Sequence, residues 1–129
     1  MGYRMTPDLE RIIWMPSPPL APDDGPIDTE HLRRMTLGDV SLEHEVLAMF
    51  SAQAVGLIAA LAALPADAGA LAHTLKGSAR AIGAFAVADA AGRLEAVLHG
   101  GGNPSRALTE LSDAVAGARS AVDAMLRRS

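Results

Sequence analysis

The sequence predicts an all-α protein, an up-down-up-down antiparallel four-helix bundle with a short preceding helix and a Pro-rich N-terminal segment. Half of its 129 residues are apolar, but only four are aromatic. Alanine occurs 26 times, and its small side chain favours helix formation and close helix packing. Apolar residues recur every three or four positions, without the alternation typical of strands. A chain of this length buries one core, so we expect an N-terminal extension over residues 1–26 and one helical bundle over residues 27–129.

The N-terminal extension combines a helix-start signal with a run of prolines. Thr6-Pro7-Asp8 resembles a helix start, and the apolar residues that follow predict one or two helical turns: Leu9, Ile12 and Ile13. Repeated prolines then prevent regular structure and predict an extended connector: Pro16, Pro18, Pro19, Pro22 and Pro26. The pattern is compatible with a segment that docks on the bundle and with one that extends from it.

Two helices are predicted before Pro65. Asp28 is a candidate cap for a short helix that runs to about Leu37 and ends at Gly38, and Ser41 is a candidate cap for a long one. In the long helix, apolar residues with one polar exception at Gln53 step by three or four and predict its core face: Leu42, Val46, Met49, Phe50, Leu57, Leu61 and Leu64.

Three further helices are predicted after Pro65, over about residues 66–84, 85–99 and from Pro104 onwards. Gly100-Gly101-Gly102 separates the last two, and Asn103-Pro104 is typical of a cap followed by a first helical residue. The expected core positions of these two helices are Val87, Ala91, Leu94 and Leu98, then Leu108, Leu111, Val115, Ala118, Val122 and Met125. Short connections between long helices predict antiparallel neighbours.

Composition and charge argue against several classes of protein. A net charge of −4 disfavours a nucleic-acid partner, which requires a basic surface. With no cysteine, there is no disulfide, thiolate metal ligand or thiol nucleophile. Charged residues interrupt the first 14 positions, unlike a signal peptide, and no apolar stretch of about 18 residues suggests a membrane span. We therefore expect a soluble, cytoplasmic protein, and a single complete bundle favours a monomer.

The helix around His73 separates an apolar face from a polar one. At about 100° per residue, the expected core positions cluster together: Leu71, Leu75, Ser78 and Ile82. His73 lies on the opposite side, with Gly77, Arg80 and Ala84 on its face and Lys76 beside it. The pattern predicts an imidazole facing water next to a cation and a patch without side-chain bulk.

Most of these polar residues have an ordinary interpretation. A lone histidine on a helix is usually structural or simply exposed, and Lys76 with Arg80 is typical of a solvated face. Gly77 differs, because glycine inside an exposed helix costs about 1 kcal/mol relative to alanine. A glycine one turn from an outward-facing His73 indicates that something large approaches the ring.

The stretch His73-Thr74-Leu75-Lys76-Gly77-Ser78, followed by Gly83-Ala84 and then Leu94-Glu95, resembles the signature of the histidine-phosphotransfer (HPt) domain family. Leu37-Gly38-Asp39 and the helix containing Phe50 are similar to the family's upstream half. The resemblance covers roughly residues 27–127. Ala79 departs from the pattern, since many members have a second serine there.

The resemblance implies a function and a set of roles. His73 is then the phosphorylated residue, Lys76 the cation near the phosphoryl group and Gly77 the gap that admits a partner. The implied partners are a response-regulator receiver domain, whose aspartate exchanges the phosphoryl group with His73, and a sensor (hybrid) histidine kinase. Arg80, about 10 Å from His73 along the helix by rise per residue, is better placed to meet an acidic partner surface.

The sequence contains no recognisable motif for binding ATP or a catalytic metal ion. It has no phosphate-binding loop with an associated lysine and no acidic cluster with metal-ligand spacing. His31, His44 and His99 fall on different helices without ligand spacing, so we expect no metal site. A phosphocarrier without an ATP site or cofactor is therefore expected, with Mg²⁺ supplied by the receiver.

Two other interpretations stay open. In the main alternative, the same face serves a non-phosphorylated helical adaptor that binds a signalling partner. A phosphatase using His73 is a weaker one, because no second catalytic group stands at a suitable spacing.

Overall fold

The computed structural model describes residues 25–128, and these residues form helices connected by short turns, without strands. The helices are α1 (Thr29–Met35), α2 (Val40–Ala62), α3 (Ala68–Ile82), α4 (Phe85–Gly100) and α5 (Ser105–Arg127). The all-helical prediction is confirmed. The helical turns predicted around Leu9 and the connector from Pro16 to Pro22 lie outside the described residues.

The four long helices enclose one apolar core. Helix α2 packs against α3 and α5, and α4 packs against the same two helices, while α1 rests on α3. Each helix contributes at least one large side chain with almost no exposure to solvent: Leu32, Leu47, Leu61, Leu75, Val87, Leu94, Leu111 and Val122. This closed arrangement fixes which face of each helix is left for solvent.

Aspartates begin the first two helices. The Asp28 carboxylate accepts a hydrogen bond from the backbone N–H of His31 at 3.0 Å, which confirms the predicted cap of α1. The cap of α2 is Asp39, whose carboxylate accepts from the N–H of Leu42 at 3.1 Å. The prediction of Ser41 was therefore wrong, because the carboxylate two residues earlier already satisfies a first-turn donor.

The buried face of α2 is rotated from the predicted one. Leu47 and Ala54, which were not predicted, are fully buried together with Phe50 and Leu61, whereas Met49 is 65% exposed. Leu42, Gln53 and Leu64 are exposed as well. The helix is apolar on every side, so its periodicity did not fix its orientation, and small Ala54 lets α3 and α5 approach this face.

Helix α2 also corrects the expectation about apolar stretches. No charged residue occurs between positions 46 and 66. Of the described helices, α2 alone is long and apolar enough to cross a membrane, by length and composition only. The expectation that no stretch reaches such length was wrong, although α2 supplies four side chains to the core of the bundle.

Helix α3 ends earlier than predicted. Gly83 caps it with a left-handed φ of +86°, a conformation that glycine adopts readily. A Cβ at Gly83 would lie 2.8 Å from the Asp28 carbonyl oxygen, and the Asp28 N–H donates to the Gly83 carbonyl at 2.9 Å. Ala84 is consequently buried beyond the helix end, so its predicted place on the face of His73 was wrong.

The last two helices lie close to their predicted bounds. Helix α4 extends through Gly100 and is capped by Gly101, with φ +76°. Helix α5 begins at Ser105, one residue later than predicted, with Pro104 in the capping position. The side chain of Asn103 still accepts a hydrogen bond from the Ser105 N–H at 3.0 Å, as expected of a cap residue.

Candidate functional site

Helix α3 presents His73 to solvent. Ala72, Leu75 and Ala79 are fully buried on its inner side, while the side chain of His73 is 69% exposed. Leu71 and Ser78, which were predicted as core positions, are only half-buried. Ala72 and Ala79 occupy the core side of α3 instead of Leu71 and Ser78. Their small side chains let α3 lie close to its neighbours, and His73 faces outward.

A carboxylate from α4 contacts both His73 and Lys76. Glu95 follows the buried Leu94 and lies at the edge of α4 that faces α3. Its Oε2 is 3.0 Å from His73 Nδ1, and its Oε1 is 2.7 Å from Lys76 Nζ. One side chain therefore connects the imidazole to the ammonium group.

The surroundings of Glu95 favour its charged form. The hydrogen bond from Lys76 is the main cause that lowers the pKa of Glu95; the His73 hydrogen bond and the electrostatic attraction of Lys76 add to it, and partial burial opposes it. An ionised carboxylate only accepts hydrogen bonds. We infer that neutral His73 carries its hydrogen on Nδ1 and keeps the lone pair of Nε2 for solvent or a partner.

The sequence alone did not assign Glu95 a role. The only available signal was the Leu94-Glu95 pair in the family pattern. The contact also changes the interpretation of Lys76, which is paired and only 21% exposed instead of free beside the ring. The aliphatic stem of Lys76 lies against α4 at Gly92, where an added Cβ would be in ordinary contact with Lys76 Cδ at 3.5 Å.

Gly77 and Arg80 lie on the exposed part of α3, as predicted. A Cβ added at Gly77 would meet no atom within 4 Å. The fold therefore does not require glycine at this position. The bare surface beside His73 is open to an approaching molecule.

An open cavity of about 650 Å³ lies beside the ring, at the end of α3 nearest its first residue. His73, Thr74, Glu95 and His99 line it together with small residues that precede them in the chain. Within residues 25–128, no group of three histidine, aspartate or glutamate side chains is placed to hold a metal ion. The cavity therefore adjoins both the imidazole and the Glu95 carboxylate.

Comparison with known protein families gives a match. A family model described as Hpt domain matches residues 45–128, which is more than half of the chain. The matched region contains His73, Lys76, Gly77, Arg80 and Glu95. No curated protein and no solved structure matches the chain.

Proposed function

The chain belongs to the Hpt domain family, and from this premise we propose that it accepts and donates a phosphoryl group on His73 in a phosphorelay. Hpt domains are phosphocarrier modules that interact with kinases and receivers in two-component signalling. The main support for this chain is the exposed imidazole whose Nδ1 is held by Glu95. That contact leaves Nε2 as the nucleophile.

The proposed transfer exchanges one bond to phosphorus for another. The Nε2 lone pair of His73 attacks the phosphorus of an aspartyl phosphate on the receiver, an N–P bond forms, and the O–P bond breaks to release the carboxylate. The hydrogen on Nδ1 stays in place, and Glu95 offsets the positive charge that the ring gains. The reverse reaction returns the phosphoryl group, and dividing the relay into two steps makes each one easier.

Charge around His73 tunes this exchange. A phosphoryl group brings between about −1.5 and −2 charges, and Lys76 is the nearest cation on α3. An exposed ion pair contributes only about 0.2–1 kcal/mol, and Lys76 already shares its charge with Glu95. Lys76 therefore adjusts the transfer, and the receiver supplies the Mg²⁺ and the acceptor carboxylate.

The remaining features of the proposal concern the scaffold and its setting. We propose an up-down-up-down antiparallel order for the four long helices, a monomer and a cytoplasmic location. The protein has no ATP site of its own in this proposal. Its partners are an aspartate-bearing receiver domain and a sensor (hybrid) histidine kinase.

Label transfer from a phosphorylated receiver tests the proposal. The label on this chain should be lost in acid and retained in base, as a phosphoramidate requires. A receiver that binds the chain without transferring label would instead support the non-phosphorylated adaptor.

Replacing Glu95 with glutamine is expected to slow transfer by up to about fivefold, since an exposed charged contact is worth up to about 1 kcal/mol. The amide no longer favours hydrogen on Nδ1, so fewer rings have the lone pair on Nε2. Because the pKa of Glu95 lies below its ordinary value near 4.5, the wild-type carboxylate is ionised at neutral pH. Its contacts with His73 and Lys76 are lost only when the pH falls through this lowered pKa. Stopped-flow transfer rates at neutral pH measure the effect, with Glu110→Gln on α5 as the control. An unchanged rate would remove Glu95 from the site.

Replacing Arg80 with alanine is expected to weaken receiver binding and make it less sensitive to salt. The exposed guanidinium attracts an acidic partner surface, and such attraction is screened at high ionic strength. Titration of the receiver by calorimetry at two salt concentrations measures both effects. Arg106→Ala, at the outer start of α5, is the matched control. Identical affinities for wild type and Arg80→Ala would place Arg80 outside the interface.

A further inference from the structure

The turn that joins α1 to α2 carries a concentrated group of exposed apolar side chains. Among residues 25–128, eight large apolar side chains are exposed, and four of them lie at this turn: Met35, Leu37, Val40 and Leu42. Leu37 is 92% exposed, so it contributes almost nothing to the core. A contiguous apolar patch on a folded protein is typical of an interaction surface. We call Met35, Leu37 and Val40, each more than half exposed, the apolar tip.

Leu37 occupies a backbone position that normally favours glycine. The Gly38 N–H donates to the Arg33 carbonyl oxygen at 2.9 Å. The Leu37 N–H donates to the Arg34 carbonyl oxygen at 3.3 Å, and together these bonds form a Schellman motif at the end of α1. The motif holds Leu37 in the left-handed region, with φ +55°. Helices α3 and α4 end on left-handed glycines instead, which adopt this conformation without a steric penalty.

The fold gains nothing from the leucine side chain at this strained position. Among the described residues, the other non-glycine residue with a positive φ is Leu64, at +48°. More than half of the Leu64 side chain is covered, so packing accounts for that leucine. Leu37 has no such packing within the described part of the chain. Backbone strain that the fold does not require is typical of functional positions.

Basic side chains border the apolar tip. Arg33 and Arg34, in the last turn of α1, are exposed. An open cavity of about 600 Å³ lies among them and their neighbours: Glu30, Arg33, Arg34, Leu37 and Gly38. Two guanidinium groups beside one carboxylate complement an acidic surface, and a guanidinium group can bind a carboxylate through two parallel hydrogen bonds.

The apolar tip lies outside the surface that a receiver covers at His73. Helix α2 begins at the tip and is 23 residues long, or about 34 Å by helical rise. It ends at the turn into α3, and His73 lies only about 8 Å beyond the first residue of α3. The two sites are therefore about 25 Å apart along the bundle. An interface of standard size covers about 800 Å² on each partner, a disc of about 16 Å radius.

We propose that the apolar tip binds a protein surface with an apolar pocket bordered by carboxylates, on the sensor (hybrid) kinase outside its receiver domain. Leu37 fills the pocket, and Arg33 and Arg34 pair with the carboxylates. Because a receiver at His73 leaves the tip uncovered, both contacts can form at once and raise the effective concentration of His73 at the receiver. The kinase as partner rests on the proposed function, whereas the apolar and acidic chemistry of the bound surface rests on the tip.

Binding to the full-length kinase and to its isolated receiver domain tests the proposal. Leu37→Gly removes the side chain but suits the left-handed backbone, so this variant should unfold at a temperature no lower than wild type. We expect it to bind the full-length kinase about tenfold more weakly, as truncation of an apolar anchor does. Its affinity for the isolated receiver, measured by calorimetry, and its rate of label transfer from that domain should equal those of wild type.

Leu64→Gly is the matched control, because Leu64 is also partly exposed with a positive φ but lies at the other end of α2. It should bind the full-length kinase as wild type does. Leu37→Asn should repeat the loss of affinity, since asparagine tolerates the left-handed conformation but is polar. The double substitution Arg33→Gln with Arg34→Gln should weaken kinase binding and reduce its dependence on salt.

Three results would overturn the proposal. Equal affinity of wild type and Leu37→Gly for the full-length kinase would mean that the kinase does not contact the tip. Equal weakening toward the isolated receiver would place the tip inside the receiver interface. Self-association in sedimentation velocity that Leu37→Gly abolishes would assign the tip to a second copy of the chain. Kinase binding that depends on Leu37 without any label on His73 would instead support the docking and reject the proposed function.

Discussion

Replacing His73 with glutamine is expected to abolish the acid-labile label completely. Glutamine keeps a polar side chain of similar reach but has no nitrogen lone pair able to attack phosphorus. The side chain is 69% exposed, so the change in stability should stay within about 0.5 kcal/mol. Loss of label therefore reports lost chemistry and not a lost fold.

The measurement follows the label after incubation with a phosphorylated receiver, with acid and base challenge of the product. His99→Gln is the matched control, because His99 is an exposed histidine that lines the same cavity. This variant should acquire as much label as the wild-type protein. Receiver binding by His73→Gln, followed separately by calorimetry, should persist. Label remaining on His73→Gln would show that another residue is phosphorylated.

The contacts of Glu95 show why part of the site was not predictable. Exposure of His73 follows from local helical periodicity, and the sequence pattern was sufficient to predict it. The pairing with Glu95 joins residues 22 positions apart and depends on how α3 and α4 are rotated and aligned. No local pattern contains that information, so only the resemblance to a family pointed to Glu95.

Helix α2 illustrates a second limit of prediction. Its existence and approximate bounds follow from an uninterrupted run of helix formers that ends near Pro65. The face that α2 buries does not follow from the sequence, because apolar side chains such as Leu42 and Leu47 occur on opposite sides of the helix. Which of them is buried depends on how well each side chain packs against the other helices. The start of α2 was also ambiguous from the sequence, because Asp39 and Ser41 are both residue types that cap helices.

Replacing Gly77 with glutamine is expected to stabilise the bundle while slowing transfer strongly. An added Cβ meets no atom within 4 Å, and removing a helical glycine gains about 0.5–1 kcal/mol. The same side chain would fill the surface that the receiver must contact to bring its aspartate to Nε2. A displacement of about 1 Å between reacting groups costs on the order of 100-fold in rate.

Thermal unfolding and single-turnover transfer, measured on the same preparation, separate these two effects. Gly56→Gln is the matched control, because Gly56 is also an exposed glycine within a helix, and a Cβ there likewise meets nothing within 4 Å. Both variants should unfold at a higher temperature, but only Gly77→Gln should transfer slowly. Gly77→Ala should fall between wild type and glutamine, since one methyl group obstructs less of the approach. Wild-type transfer by Gly77→Gln would mean that no partner comes close to α3 at this point, and the glycine would lose its functional explanation.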